Sequence, residues 1–591
     1  MIKEDKSKRR IFILLVLLIF CITVIMYKLF LIQIKDTRNY SKYHIDLLEK
    51  SIQQREQEFI VSSGRGNIYD RNLESLIKQE EIKTLIVFPF IKNTINLDSI
   101  KILANVIDID YDNLLNQIKS TETPKYIIKN DKPVNISEEQ HLKIEQLNPV
   151  GIIVSPYTVQ DYENVLTKHV VGYMSQAPDE IIDRYKKYLE QGILNKNSLI
   201  GRSGLQMTFE EILMGIGESS IAYFVDNKGN PLNGLSTNYQ INNDSYYPLS
   251  LVTTIDREIQ LISEKTLKKY EINEGSIVVL DVANGDIIAM ASVPDFNLLN
   301  VDPNSPNWNN KAVQVTEPGS IFKIVVAIAA LEEGLVTLEE EFYCSGEYDY
   351  KFSCHDTHGR ITFAEGFAQS CNTVFAEVAK RLGSEVIEDY ARKLGVIDTV
   401  GWSGDFFKND SFKQIANEEF NRVFHLNTVR DDTGSLIRTA IGQQDVRLSP
   451  LAAANLIVTI LNEGKTYEPR LVGKIVYKNG IDYYKFPLHY KKIDDISEET
   501  YAKIKYLMGQ VVETGTGYLL KDATWPLAGK SGTAETNNNL NNQWFIGYGP
   551  VKNPEYAIAV LVKNVFQSTS LAQKVFLDLT NELAKLERNK S

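Results

Sequence analysis

Glu317-Pro318-Gly319-Ser320-Ile321-Phe322-Lys323 is the stretch around which the rest of the chain is organised. Pro318 and Gly319 interrupt what precedes them. Residues 324–331 then form an apolar, Ala-rich run that reads as a buried helix ending near Gly334. Ser320 falls at the helix N-terminus with Lys323 one turn later, and residues three apart share a helical face, so hydroxyl and amine can meet. A serine is a poor nucleophile until a base takes its proton, and a desolvated lysine can be that base. The helix start also aims free backbone N–H groups at developing negative charge. Alone the signal is weak, since Ser75-Leu76-Ile77-Lys78 has the same spacing.

Outward from this stretch, 591 residues are too many for one ordinary core, so two or more domains are expected. A hydrophobic fraction of 43% with 24% charged residues is that of a globular protein. The net charge is −12 and no long basic run follows the N-terminus, which gives nucleic acid no footing as a partner. Residues 11–27 are an uninterrupted apolar run, extended by a second patch over 29–34 and preceded by Lys8-Arg9-Arg10. That length and that basic flank predict one membrane-spanning helix with a cytoplasmic N-terminus. A cleaved signal peptide would have a shorter apolar core and a small-x-small site, and none follows Ile34. The expected organisation is a cytoplasmic tail over 1–10, an anchor over 11–34, a stalk and pedestal over 35–250, and a catalytic domain over 251–591.

There are four cysteines. Cys21 lies in the span, while Cys344 and Cys354 lie outside, where they are read either as a disulfide or as two free thiols. Cys354-His355 and His358 invite a zinc reading, but their spacing matches no standard finger, so no metal is expected. Cys371 is left over and expected to be buried.

Residues 80–250 alternate short strand-like runs with charged helical ones and carry neither a phosphate loop nor a recognisable carboxylate pair, which reads as scaffold. From about residue 250 the character changes. A helix near 257–270 is followed by two strands joined at Ala283-Asn284-Gly285, a hairpin signal. A long helical stretch containing Ser370 and Asn372 follows the Ser320 helix, and 448–461 reads as another apolar helix. Strands near 529–536, 543–548 and 556–562 precede a final helix over 571–586. Terminal strands and helices enclosing a helical middle predict an α+β fold, with an antiparallel sheet flanked by helices on both sides.

Two further motifs carry chemistry. Ser370-Cys371-Asn372 offers a hydroxyl and an amide to a polar site. Lys530-Ser531-Gly532-Thr533, on a strand, offers positive charge, hydroxyls for a carboxylate, and a glycine that lets a ligand approach the backbone. In the order Ser-x-x-Lys, Ser-x-Asn, Lys-Ser-Gly, the three resemble penicillin-binding proteins and serine β-lactamases. The flanks narrow the resemblance to class B penicillin-binding proteins: Glu317-Pro318-Gly319, Ala440-Ile441-Gly442-Gln443, Leu448-Ser449-Pro450-Leu451, Gly515-Thr516-Gly517 and Trp544-Phe545-Ile546-Gly547-Tyr548. Arg65-Gly66-Asn67-Ile68-Tyr69-Asp70-Arg71 is similar to that class's pedestal signature. Two departures stand out. Leu73 follows Asn72 where the signature continues with glycine. Gln206 stands where members carry a glutamate that pairs with a signature arginine, which predicts weaker ion pairing in the pedestal.

The resemblance implies a D,D-transpeptidase that cross-links peptidoglycan stem peptides and is a target of β-lactams, without a cofactor. Ser320 would attack the penultimate D-Ala carbonyl of a D-Ala-D-Ala donor, with Lys323 as base, its pKa lowered by burial and by Lys530. Ser370 would relay a proton to the leaving nitrogen and Asn372 would hold the substrate amide. Lys530 would bind the terminal carboxylate with Ser531 and Thr533, and Gly532 lies between those two. The N–H groups of Ser320 and Thr533 would form the oxyanion hole. A polytopic membrane glycan polymerase is the implied partner. The rivals are a catalytically weak penicillin sensor or scaffold, and a β-lactamase, which would be expected to lack anchor and pedestal. A bifunctional class A enzyme would need a glycosyltransferase domain before residue 250.

Overall fold

The computed structural model describes residues 2–41, 45–47, 50, 56–62, 64–77, 79–89, 96–130, 132–160, 165–216, 219–224, 238–240, 244–348, 352–407, 409–430, 432–536 and 540–590. Part of the expected stalk, including 42–44, 48–49 and 51–55, lies outside them. The chain forms two compact units: residues 1–63, 80–159 and 218–243 make one, and residues 64–79, 160–217 and 244–591 the other. The segments 64–79, 160–217 and 244–250 pack with the C-terminal unit.

The first unit contains the helix Ile2–Phe30, which a π-helical turn, Leu31–Lys35, continues. Residues 8–35 are long and apolar enough to cross a membrane, and their apolar side chains are exposed. The same unit holds a small sheet in which Gln79–Val87 lies between Lys125–Tyr126 and Ile152–Gln160. Leu85 and Val87 of its central strand pack against Leu103, Leu114 and Ile144 from three helices.

The second unit is built on a five-stranded antiparallel sheet. Helix α1 (Arg257–Lys269), N-capped by Asp256, leads into the hairpin of β1 (Gly275–Asp281) and β2 (Ile287–Val293). The last three strands are β3 (Ala528–Glu535), β4 (Asn541–Gly549) and β5 (Tyr556–Val565), and the spatial order is β2-β1-β5-β4-β3. Chain start and chain end thus meet at the β1–β5 pair. Alternate residues serve opposite faces. Ile277, Val279, Ile558 and Val560 face a core shared with α1 and the final helix, through Ile259, Leu267, Val575 and Phe576. Val278, Leu280, Ala559 and Leu561 face the larger core of the helical middle. Burial on both faces explains why β1 and β5 are almost continuously apolar.

That middle contains α2 (Lys323–Glu332), α3 (Phe363–Ala368), α4 (Asn372–Leu382) and α5 (Pro450–Leu461), before α6 (Glu498–Glu513) and the C-terminal α7 (Leu571–Lys590). The expected long helix through Ser370 is therefore two helices. The chain breaks at Ser370, whose φ of +56° no helix accommodates.

Part of the pedestal signature is woven into this unit. Ile68–Tyr69 pairs in parallel with Ser250–Thr253, and Arg71 N–H donates to Ile255 O at 2.9 Å. The expected loss of ion pairing at Gln206 does not occur, because Glu210 supplies the carboxylate. Arg65 donates from Nη1 and Nη2 to its two oxygens at 2.9 and 2.6 Å and from Nε to Gln206 Oε1 at 2.8 Å.

Candidate active site

Ser320 sits in a single 3-10 turn, Gly319–Phe322, that runs into α2. Its position is fixed by the backbone around it. Gly319 N–H donates to Gly442 O at 2.9 Å, Trp544 Nε1 donates to Glu317 O at 2.9 Å, and Arg447 pairs with Glu317 at 2.7 Å. Gly319 has φ +57° and a Cβ there would lie 2.3 Å from Thr533 O; at Gly442, φ +76°, it would lie 1.9 Å from Gly319 O. Only glycine lets the serine turn approach β3 and the 440–443 loop this closely.

Lys323 opens α2 and is fully buried. Its Nζ donates to Ser370 O at 2.7 Å and Asn372 Oδ1 at 2.8 Å, and stands 3.4 Å from Ser370 Oγ. It therefore joins the Ser-x-x-Lys and Ser-x-Asn motifs. The expected contact between Lys323 and Ser320 is not made here; among the described residues the Ser320 hydroxyl has no hydrogen-bond partner. Such bonds often close only once substrate is bound. Burial pushes the Lys323 amine down to about 7, opposed by the neighbouring sulfurs of Cys371 and Cys354. Lys530 is equally buried and is held well below its ordinary value, first by burial and then by the charge of Lys323. The sequence assigned that repulsion to Lys323; its effect falls on Lys530.

β3 is the edge strand of the sheet, and its alternation divides the third motif. Lys530 points inward over the Phe367 ring and donates to Ser531 O at 3.0 Å. Ser531 and Thr533 face outward, with Ser531 Oγ 2.6 Å from Thr516 Oγ1. At Gly532 a Cβ would meet Pro318 O at 2.7 Å, so the glycine also serves the serine turn.

Ser320, Ser370, Asn372, Ser531, Gly532 and Thr533 together line one cleft of about 570 Å³. Lys323 and Lys530 lie beneath its floor, where they act through hydrogen bonds and charge. The expected direct contact of Lys530 with a ligand carboxylate is thus not available in this conformation. The cleft wall adds Arg438, Gln443 and Gln573. Sequence reasoning missed Arg438, which belongs to no motif and is brought in by the helix Thr433–Ala440.

A second cluster lies behind the cleft. The ligand atoms of Cys344, Cys354, His358 and Cys371 are all within 4.8 Å of one another. All four cysteines are free in this structure. Cys354 Sγ lies 3.8 Å from Cys371 Sγ. Spacing had spoken against a metal, yet these are residues that could hold one. The signal available in sequence was Cys371 itself, inside Ser-x-Asn.

With this geometry in place, the comparisons with known proteins are specific. The penicillin-binding protein transpeptidase domain matches residues 275–581, more than half of the chain, and the penicillin-binding protein dimerisation domain matches 60–246. Stage V sporulation protein D of Bacillus subtilis (strain 168) is 28% identical over 531 residues, covering 85% of this chain and 74% of the relative. Peptidoglycan D,D-transpeptidase MrdA of Escherichia coli (strain K12) is 24% identical over 549 residues, covering 85% and 84%. One chain of a solved peptidoglycan synthase complex superposes with a TM-score of 0.69 at 21% identity, covering 96% of this chain and 97% of that one, which speaks for a shared fold.

Proposed function

The chain belongs to the class B penicillin-binding proteins, and we propose that it is a serine D,D-transpeptidase that cross-links peptidoglycan stem peptides. The observation that carries this reading is the convergence of Ser320, Ser370, Asn372 and the Ser531–Thr533 strand on one cleft above two buried lysines. Lys323, neutral for much of its time near pH 7, takes the Ser320 proton as Oγ attacks the penultimate D-Ala carbonyl. The Ser320 and Thr533 N–H groups receive the developing oxyanion, and each such donor is worth about a hundredfold or more in rate. Ser370 Oγ, next to Lys323 Nζ, passes a proton to the departing D-Ala nitrogen. Asn372 holds the donor's amide, and Ser531 and Thr533 bind its terminal carboxylate over the positive potential of Lys530. An amine of a neighbouring stem peptide then resolves the ester; water in its place gives carboxypeptidase activity.

A β-lactam fits the same cleft as a donor mimic and leaves an acyl group on Ser320. The apolar helix supports anchoring in the cytoplasmic membrane, with the N-terminus inside and the bulk of the chain outside. By analogy with the synthase complex, the partner is a membrane glycan polymerase. Release of D-Ala from a synthetic pentapeptide tests the reading: the wild-type chain releases it and Ser320→Ala does not. Equal release by both would overturn it.

A further inference from the structure

Arg438 is partly buried on the wall of the catalytic cleft, and its charge has no counter-ion there. Its backbone is fixed close to the serine turn: Gln443 N–H donates to Arg438 O at 2.9 Å, and Gly319 N–H donates to Gly442 O, in the same loop, at 2.9 Å. Its side chain is fixed through Nε, which donates to Gln444 Oε1 at 3.1 Å. Gln444 has φ +56°, a left-handed conformation that a glutamine adopts only when its surroundings impose it. Among the described residues, Nη1 and Nη2 of Arg438 reach no acceptor and no carboxylate lies at ion-pair distance. Asp432 interacts with Arg438 only through space, because its side chain accepts from Ser435 N–H at 2.7 Å and caps the helix. Glu535, the acid on the cleft lining, forms no ion pair with it. Arg447, further along the same loop, does have its carboxylate, Glu317 at 2.7 Å. A basic residue in a last turn commonly serves the C-terminal carbonyls of its helix. Arg438 folds the other way, back over the preceding turn, where a Cβ added at Gly434 would stand 3.4 Å from Nη2.

We propose that Arg438 is a specificity-determining residue that binds a free side-chain carboxylate on the donor peptide, carried by the residue just upstream of the D-Ala pair. This deepens the transpeptidase reading and rests on it. The helix Thr433–Ala440 packs against α4, whose first residue, Asn372, holds the donor's amide in that reading. The donor's terminal carboxylate goes to Ser531 and Thr533, so its upstream part runs past Asn372 on the side of Arg438. An extended chain advances about 3.3–3.6 Å per residue, which makes the residue before the D-Ala pair the first to clear the serine turn and meet this wall. The guanidinium fork fits a carboxylate through two parallel N–H···O bonds, and both terminal nitrogens are available for them. A carboxamide offers the fork one oxygen and no charge, and an ammonium repels it. A β-lactam mimics the D-Ala pair alone and does not reach this contact.

The test compares two labelled pentapeptides ending in D-Ala-D-Ala, one with a free side-chain carboxylate on its third residue and one with the carboxamide in its place. Binding is measured by fluorescence anisotropy on the full chain in detergent, carrying Ser320→Ala so that no turnover intervenes. The acid should bind about tenfold or more tighter than the amide, and adding Arg438→Gln should shrink that preference to within about twofold. Arg438→Lys should keep part of it, since the charge remains and the fork is lost. Raising the salt concentration should narrow it in the parent chain. With Ser320 present, the same preference should appear in KM for D-Ala release, because the contact is remote from the reacting bond. Equal binding of acid and amide, or an unchanged preference in Arg438→Gln, would overturn the proposal. So would a loss of penicillin acylation in Arg438→Gln as large as the loss of acid-peptide binding, which would assign Arg438 to the terminal carboxylate or to the fold of its loop. A chain that prefers the acid through Arg438 yet releases no D-Ala would leave the carboxylate site standing and overturn the transpeptidase reading.

Discussion

A lysine with no exposed surface resists carrying its charge, because burial removes the water that stabilised the ammonium. For Lys323 this becomes a pH dependence with a definite sign. Its amine titrates near 7 in the folded chain against 10.5 as the ordinary value. Between those values the unfolded chain binds the extra proton, so this group's contribution to stability rises with pH across that window. Below about 7 the folded amine is protonated and cannot accept the Ser320 proton. The acylation rate should therefore fall about tenfold per pH unit on the acid side and level off above about 7. A stopped-flow profile of a chromogenic β-lactam checks this, and a flat rate from pH 5.5 to 8 would contradict it. Lys323→Ala should lose roughly a hundredfold to ten-thousandfold in acylation rate, the usual share of a general base.

At the scale of elements, the site is a set of backbone approaches that glycine makes possible. Gly319→Ala and Gly442→Ala would each place a Cβ within 2.3 Å of a carbonyl oxygen. Each should lower the melting temperature and nearly abolish acylation. Gly334→Ala is the informative comparison, since its φ is also positive, +64°, but nothing lies within 4 Å of the added atom. It should cost only local strain, about 1–3 kcal/mol, and leave the acylation rate of the folded protein unchanged. Similar losses in all three would place the effect in strain alone. The motif residues were legible because their chemistry lies in residue type and spacing. The break at Ser370 was not, because residues 363–382 carry good helix formers on both sides and the left-handed residue is a serine with no turn signal of its own. The depth of Lys530 was hidden for another reason. Alternation divides a strand into two faces but does not say which face is covered.

At the scale of the molecule, the sequence shows two kinds of segment but not how they pack. The pedestal signature and the catalytic motifs lie far apart in the chain, yet residues 64–79 and 160–217 belong to the same compact unit as residues 244–591. Arg65 and Glu210 stabilise that unit as a nearly dry pair, with side chains 9% and 1% exposed. Glu210→Ala should destabilise the chain by about 3–5 kcal/mol, since it leaves a buried guanidinium without its carboxylate. Gln206→Ala, which removes one hydrogen bond, should cost about 1 kcal/mol. Thermal unfolding of both variants tests this, and equal effects would contradict the assignment of the charge to Glu210. The pairing is illegible in the sequence because Glu210 lies four residues beyond the signature position at 206 and meets the same guanidinium from a second short helix. The N-terminal helix gives a prediction of its own. The full chain should remain in membranes after alkaline extraction, and a chain lacking residues 1–34 should be released.

The catalytic expectations depend on Ser320 being the residue that becomes acylated. The most direct measurement is to incubate the full chain in detergent with labelled penicillin and map the modified peptide by mass spectrometry. A lasting adduct on Ser320, absent from Ser320→Ala, is the expected result. No adduct on a chain shown to be folded, or an adduct on any other residue, would contradict the account.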